Sequence, residues 1–81
     1  DQLNVLGYEL LRAGRLNDAV RILQLNVGSY PASANTYDSL GEADMDDGKK
    51  ASAIINYRKS LALDPQNRNA AAKLRALGAG P

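Results

Sequence analysis

The chain has 81 residues, of which 44% are hydrophobic and 23% are charged, and ten basic and nine acidic residues leave a net charge of +1. This length predicts one small domain, and the near-neutral charge gives no long-range attraction to nucleic acid or to an acidic membrane. The chain has no Cys and no His, which excludes disulfides and zinc–thiolate sites and removes the commonest acid–base catalyst.

Two helices are predicted before the first proline. The first spans about residues 2–13 and should end at Gly14, because glycine adopts the left-handed cap conformation without steric cost. The second spans about residues 17–29, ahead of Pro31, which cannot continue a helix. The residues predicted to face inward are Leu3, Leu6, Leu10 and Ala13 on the first helix and Ala19, Val20, Leu23 and Val27 on the second.

Three more helices are predicted at about residues 34–47, 51–63 and 68–77. Ser33 and Asn67 are the expected N-caps of the first and last of these, and Gly48 should end the first. The last helix carries Ala71, Leu74 and Leu77 on one face and basic residues elsewhere. It is predicted to be the solvated end helix that a repeat array requires.

The sequence repeats itself with a period of 34 residues. Each unit has an apolar helical stretch, a glycine, a second apolar stretch and a proline, which predicts stacked helical hairpins. The identical pairs are Leu6 and Leu40, Gly7 and Gly41, Gly14 and Gly48, Ala19 and Ala53, and Pro31 and Pro65.

These residues resemble the tetratricopeptide repeat. The first unit reads Leu3-x2-Leu6-Gly7, Gly14, Ala19, Leu23 and Pro31, and the second reads Tyr37-x2-Leu40-Gly41, Gly48, Ala53, Tyr57 and Pro65. The resemblance implies an all-α helical-repeat fold (an α-solenoid) that forms a right-handed superhelix. It predicts one domain over residues 1–81, with repeat one at about 1–33, repeat two at about 34–67 and a capping helix at about 68–77.

One residue departs from the family pattern. Asp44 stands where the family usually has Tyr or another large apolar residue, and the first unit has Leu10 there. Looser packing of the first helix of repeat two is therefore expected.

No catalytic or metal-binding constellation is apparent. Ser52 follows Lys49 and Lys50, but all three begin a helix and should face water. The acidic run from Glu42 to Gly48 lacks the carboxylate ladder of a calcium loop, since Gly48 and Ile55 occupy ligand positions. The prediction is a protein that is not an enzyme and that needs no cofactor or metal.

The resemblance places the leading helix of each repeat on the concave side of the array. The residues predicted to bind a peptide there are Asn4, Tyr8, Arg12, Asn35, Asp38, Glu42, Met45, Asp46, Asn69 and Lys73. Asp38, Glu42 and Asp46 follow one another at four-residue spacing and should form an acidic stripe. Either the stripe is a solvated surface, or it recognises a peptide that carries Lys or Arg, and Arg12 could instead neutralise it.

A second surface is indicated by a difference between the repeats. Val5, Ile22 and Leu25 have Ser39, Asn56 and Lys59 as their counterparts 34 residues later, so repeat one is the more apolar. Chance or a neighbouring loop could explain the difference. The alternative is contact with a preceding repeat or domain, or weak self-association through a second copy.

The sequence favours a non-catalytic protein–protein interaction module that binds a protein or peptide, without nucleic acid or membrane. The alternative is a C-terminal appendage of a larger bacterial hydrolase-type enzyme that packs on its own catalytic domain, because repeat two is similar to repeats at the end of such enzymes. The first residue is not Met, which favours a segment of a longer protein. The compartment is unknown, with the cytoplasm slightly favoured for a soluble chain.

Overall fold

The computed structural model describes residues 1–80, and Pro81, the last residue of the predicted domain, lies outside them. Five helices span the described residues: α1 (Gln2–Arg12), α2 (Leu16–Ser29), α3 (Ala34–Asp46), α4 (Lys50–Leu63) and α5 (Arg68–Ala76). No strand occurs among residues 1–80. The predicted all-α fold is confirmed, and every helix end lies within one residue of its predicted position.

Each helix packs against its neighbour in sequence, from α1 on α2 to α4 on α5, and α1 also contacts α3. The Cα atoms occupy 29 × 25 × 16 Å, the proportions of a slab rather than a closed bundle. Two apolar clusters follow this order. The first contains Val20, Leu23, Leu40 and Ala43, and the second contains Ala53, Tyr57, Ala70 and Leu74. The protein is therefore a helical repeat with its core at the helix junctions.

The same turn closes the leading helix of each repeat. Gly14 has φ of +77° and Gly48 has φ of +76°, a backbone conformation that side chains disfavour. In repeat one, the Arg15 N–H donates to the Leu10 carbonyl at 2.9 Å and the Gly14 N–H donates to the Leu11 carbonyl at 3.0 Å. These two bonds define a Schellman motif, and repeat two has the equivalent pair at Lys49 and Gly48.

Each hairpin is held together by a glycine against a large side chain. A Cβ atom on Gly7 would lie 2.5 Å from Leu23 Cδ2, and one on Gly41 would lie 3.0 Å from the Tyr57 ring. Both distances are shorter than ordinary van der Waals contact, so the missing side chain sets the helix separation. Ala19 and Ala53, the other small residues at equivalent positions of the two repeats, are fully buried.

Asp44 does not loosen repeat two, contrary to expectation. Its side chain is 2% exposed, and its Oδ2 accepts a hydrogen bond from Asn56 Nδ2 at 2.7 Å. The position equivalent to Asn56 in repeat one is Ile22, so the polar change at Asp44 is matched by a polar change at its neighbour. Burial raises the pKa of Asp44 above its ordinary value of 3.8, while the Asn56 hydrogen bond and the charge of Lys49 lower it.

Two local predictions are wrong. On α1, Leu6 is 39% exposed and Ala13 is exposed, because no element among residues 1–80 covers that side of the helix. The Ser33 side chain makes no capping bond, and Thr36 Oγ1 instead donates to the Ser33 carbonyl at 2.8 Å. The predicted cap at Asn67 is present, since its Oδ1 accepts from the Ala70 N–H.

Adding one carbon to a hairpin glycine should separate the two helices. Gly7→Ala places a methyl group against Leu23 and is expected to lower the free energy of unfolding by about 1–3 kcal/mol. Gly28→Ala is the matched control, because Gly28 lies in α2 with nothing near its Cβ position, and it should be neutral or stabilising by up to about 1 kcal/mol. Urea denaturation followed by circular dichroism measures both. Equal effects would contradict the close-approach argument.

The buried pair of Asp44 and Asn56 should make the fold less stable at neutral pH than at acidic pH. Because folding raises the pKa of Asp44, the folded state binds its proton more tightly, and the free energy of unfolding falls as the pH rises from 3.8 through the raised value. Replacing the pair by the residues of repeat one, in the double variant Asp44→Leu with Asn56→Ile, should remove this pH dependence. We expect a gain of about 1–4 kcal/mol at neutral pH, measured by denaturation at acidic and neutral pH.

The single variant Asn56→Ile is the control for that pair. It leaves the Asp44 carboxylate buried without its donor and should cost about 1–3 kcal/mol. If the single and double variants have the same stability, the two side chains are not energetically coupled.

Candidate functional site

The first helices of successive hairpins lie side by side. α1 contacts α3, and the start of α5 is joined to α3 by hydrogen bonds from Asn67 and Asn69 to Asp38. We call the surface formed by α1, α3 and α5 the leading-helix face. All ten residues predicted to bind a peptide belong to these three helices: Asn4, Tyr8 and Arg12 to α1, Asn35, Asp38, Glu42, Met45 and Asp46 to α3, and Asn69 and Lys73 to α5.

The acidic stripe of α3 forms the middle of this face. Asp46 is exposed, whereas Asp38 and Glu42 are half-buried. Asp38 Oδ1 accepts from Asn69 Nδ2 at 2.8 Å, and its Oδ2 accepts from Asn67 Nδ2 at 3.3 Å. Glu42 Oε2 accepts from the Tyr8 hydroxyl at 2.7 Å. Neutral donors from α1 and from the start of α5 therefore fix the orientation of two of the three carboxylates.

No cation neutralises the stripe within residues 1–80. The ion pairs among these residues join Arg15 to Asp18 and Lys49 to Asp47, both away from the stripe. Arg12 is exposed and takes part in neither pair, so the structure does not bear out its proposed role as an internal counter-ion. Three carboxylates thus share one helix face without an opposite charge to offset their repulsion.

Tyr8 connects the two repeats across the face. Burial raises its pKa to about 12, and the hydrogen bond to Glu42 and the negative charges of Glu42 and Asp38 act in the same direction. A hydrogen bond from Ser39 acts the other way. The phenol is therefore a neutral hydrogen-bond donor to Glu42 throughout the physiological pH range.

Tyr57 of α4, which the sequence singled out only as part of the repeat pattern, lies behind the face. It is fully buried, and its hydroxyl has no hydrogen-bond partner in the described part of the chain. Burial and the charges of Asp38 and Glu42 raise its pKa. The signal available in the sequence was the change from Leu23 to Tyr57 at equivalent positions, which adds a polar atom to an otherwise apolar site.

The remaining residues predicted to bind a peptide differ in their solvent exposure. Asn35 and Asn69 are exposed, and Lys73 is half-buried. Met45 packs against the cluster around Tyr57 and Leu74, so part of its side chain belongs to the core. Asn4 is half-buried, and its Oδ1 has no partner within residues 1–80. The face is thus polar, with Tyr8 and Met45 as its partly covered apolar members.

Metal binding and membrane insertion find no support in the described residues. No group of three or more acidic side chains is placed to hold a metal ion between residues 1 and 80. Over the same range, no helix is both long enough and apolar enough to span a bilayer.

A scan against models of protein families found no match. Two curated relatives are similar to the chain: cellulose synthase operon protein C of Escherichia coli K12 and putative cellulose synthase operon protein C of Escherichia coli O157:H7. Each is 33% identical over 63 residues, which is 78% of this chain. The chain spans only 5% and 6% of the lengths of these two relatives.

A solved structure has a similar fold. The type III secretion translocator chaperone SycD of Yersinia enterocolitica superposes with a TM-score of 0.80 at 23% identity, over 96% of this chain and 57% of that chain. At this identity the match supports the fold alone. The 34-residue period, the two glycine-closed hairpins, the five-helix order and these similarities together identify the chain as a tetratricopeptide-type helical-repeat domain.

Proposed function

We propose that this domain is a non-catalytic protein-interaction module, and that its leading-helix face binds a peptide or protein segment that carries Lys or Arg. The observation that carries the proposal is the acidic stripe without a counter-ion among residues 1–80. Two of its carboxylates, Asp38 and Glu42, accept hydrogen bonds from neutral donors only, so these bonds bring no positive charge to the stripe. A cationic side chain would relieve the repulsion between them and gain charge-assisted hydrogen bonds.

The residues around the stripe fit a peptide backbone. Asn69 uses its Nδ2 to hold Asp38, which leaves its side-chain oxygen free to accept from a peptide N–H. Asn35 is exposed one turn before Asp38 and offers both a donor and an acceptor. Lys73 and Arg12 add positive charge at the two sides of the face, which would favour acidic residues flanking the cation of the ligand. Tyr8 and Met45 supply the apolar contact.

The module is proposed as one unit of two repeats, at about residues 1–33 and 34–67, with α5 as its end helix. Five helices offer a small face, so we expect micromolar affinity or weaker. The name of SycD, a translocator chaperone, agrees with a role in holding another protein.

A second candidate follows from the lengths of the curated relatives. Because the chain spans 6% or less of them, repeats of this kind occur inside much longer proteins. The second candidate is therefore a domain within a longer protein, in the form of a C-terminal appendage of a larger bacterial hydrolase-type enzyme that packs on its own catalytic domain. Binding of cationic peptides by the isolated domain favours the first candidate over this one.

Neutralising two of the three stripe residues should weaken the binding of cationic peptides. We expect Glu42→Gln with Asp46→Asn to weaken the best Lys- or Arg-bearing peptide from an arrayed library by about tenfold or more, because both substitutions keep shape and remove charge. Fluorescence anisotropy of the labelled peptide at low and physiological salt measures the effect, which should shrink as salt rises.

Glu9→Gln is the matched control, because Glu9 is an exposed acid on α1 that takes part in no ion pair within residues 1–80. It should leave peptide affinity unchanged. Equal loss in the control and in the stripe variant would reduce the effect to overall charge. No binding by any cationic peptide would contradict the proposal.

A further inference from the structure

The outer side of the first hairpin presents a continuous apolar surface. Val5 and Leu25 are 55% and 58% exposed, and Leu6 is 39% exposed. Leu10 and Ile22 are half-buried beside Leu6. We call these five residues the first-hairpin face. Nothing among residues 1–80 covers it, although it holds three of the six large apolar side chains that are exposed in this range.

Three of the five equivalent positions in repeat two are buried, whereas Asn56 and Lys59, the counterparts of Ile22 and Leu25, are half-buried and exposed. Ser39, Leu40 and Asp44 are the counterparts of Val5, Leu6 and Leu10, and they are 1%, 5% and 2% exposed. Helix α2 covers them, with Val20 and Leu23 packed against Leu40. The repeat therefore shows, within one molecule, that a helix surface fits the backbone at these positions.

The first-hairpin face differs from its counterpart in chemistry. Leu10 and Ile22 replace the hydrogen-bonded pair of Asp44 and Asn56, and Val5 replaces Ser39. Burying the polar pair requires that each partner be satisfied, whereas burying the aliphatic pair requires only apolar surface opposite. This face can therefore match an identical face without any specific polar partner.

The charges at its edges are complementary to each other. Glu9 borders the face on α1 and Arg21 borders it on α2, and both are exposed with no ion-pair partner within the described chain. Glu9 and Arg21 lie at the same height along the hairpin. Gly7 lies opposite Leu23 on two antiparallel helices, so a step of two residues forward to Glu9 and a step of two residues back to Arg21 lead in the same direction. A second copy turned about an axis parallel to the helices would place its Arg21 opposite Glu9.

We propose that the first-hairpin face binds a second copy of this chain, forming a two-fold dimer in which α1 of each copy packs against α2 of the other. The apolar residues form its centre and two Glu9–Arg21 pairs form its rim. The contact leaves the leading-helix face open, so peptide binding and dimerisation are separable.

Sedimentation equilibrium from about 10 µM to about 1 mM tests the dimer. The wild type should shift from monomer to dimer across this range. The variant Val5→Ser with Leu25→Lys gives two exposed positions their repeat-two residues and should remain monomeric, with an unchanged thermal midpoint by circular dichroism. Ile55→Lys is the control, since Ile55 is 56% exposed on α4, outside this face, and its dimerisation should match the wild type.

Exchanging the charges of Glu9 and Arg21 tests the proposed two-fold arrangement of the dimer. Glu9→Arg and Arg21→Glu should each weaken the dimer about tenfold, and the double variant should recover it, because the pairs are re-formed in reverse across the interface. A wild type that stays monomeric at about 1 mM overturns the proposal, and so does a double variant no stronger than its singles. A synthetic peptide of the α2 sequence, Leu16–Ser29, should compete with the second copy and dissociate the wild-type dimer, because it carries the helix that α1 is proposed to contact.

Discussion

The fold depends on the short distance between the two helices of each hairpin. Gly7 faces Leu23 and Gly41 faces Tyr57, and in each case the space of a side chain is filled by the partner helix. A single helix in this chain has too narrow an apolar stripe to remain folded in water, so stability comes from the junctions between helices. The glycine turns at Gly14 and Gly48 fix the direction of the returning helix, and so each hairpin presents its stripe to the next.

The fold was accessible from the sequence because its determinants are local. The period of 34 residues predicts repeated hairpins, the glycines predict the turns, and the small residues predict the contacts between helices. The helix ends followed from these features. Asp44 was interpreted wrongly because its outcome depends on Asn56, twelve residues away on another helix. The exposure of Leu6 could not be inferred either, since an apolar periodicity shows which residues share a face but not what lies opposite.

The candidate site was less accessible for the same reason. The four-residue spacing of Asp38, Glu42 and Asp46 placed them on one face, but their hydrogen-bond partners come from α1 and from the start of α5. Spacing within one helix carries no information about Tyr8 or Asn69, which lie in other repeats. The phenol of Tyr57 was missed because a buried aromatic residue in a repeat usually has only a packing role.

Helix α5 links the stability of the second apolar cluster to the electrostatics of the leading-helix face. It contributes Ala70 and Leu74 to the second apolar cluster, and Asn69 to the carboxylate of Asp38. At nine residues, α5 is the shortest of the five described helices, and a short helix held by few apolar side chains is among the first parts of a fold to open. Each opening of α5 frees Asp38 from Asn69 and admits water to the Tyr57 phenol. Local unfolding of α5 and the electrostatic field of the leading-helix face therefore change together, as one thermodynamically coupled event.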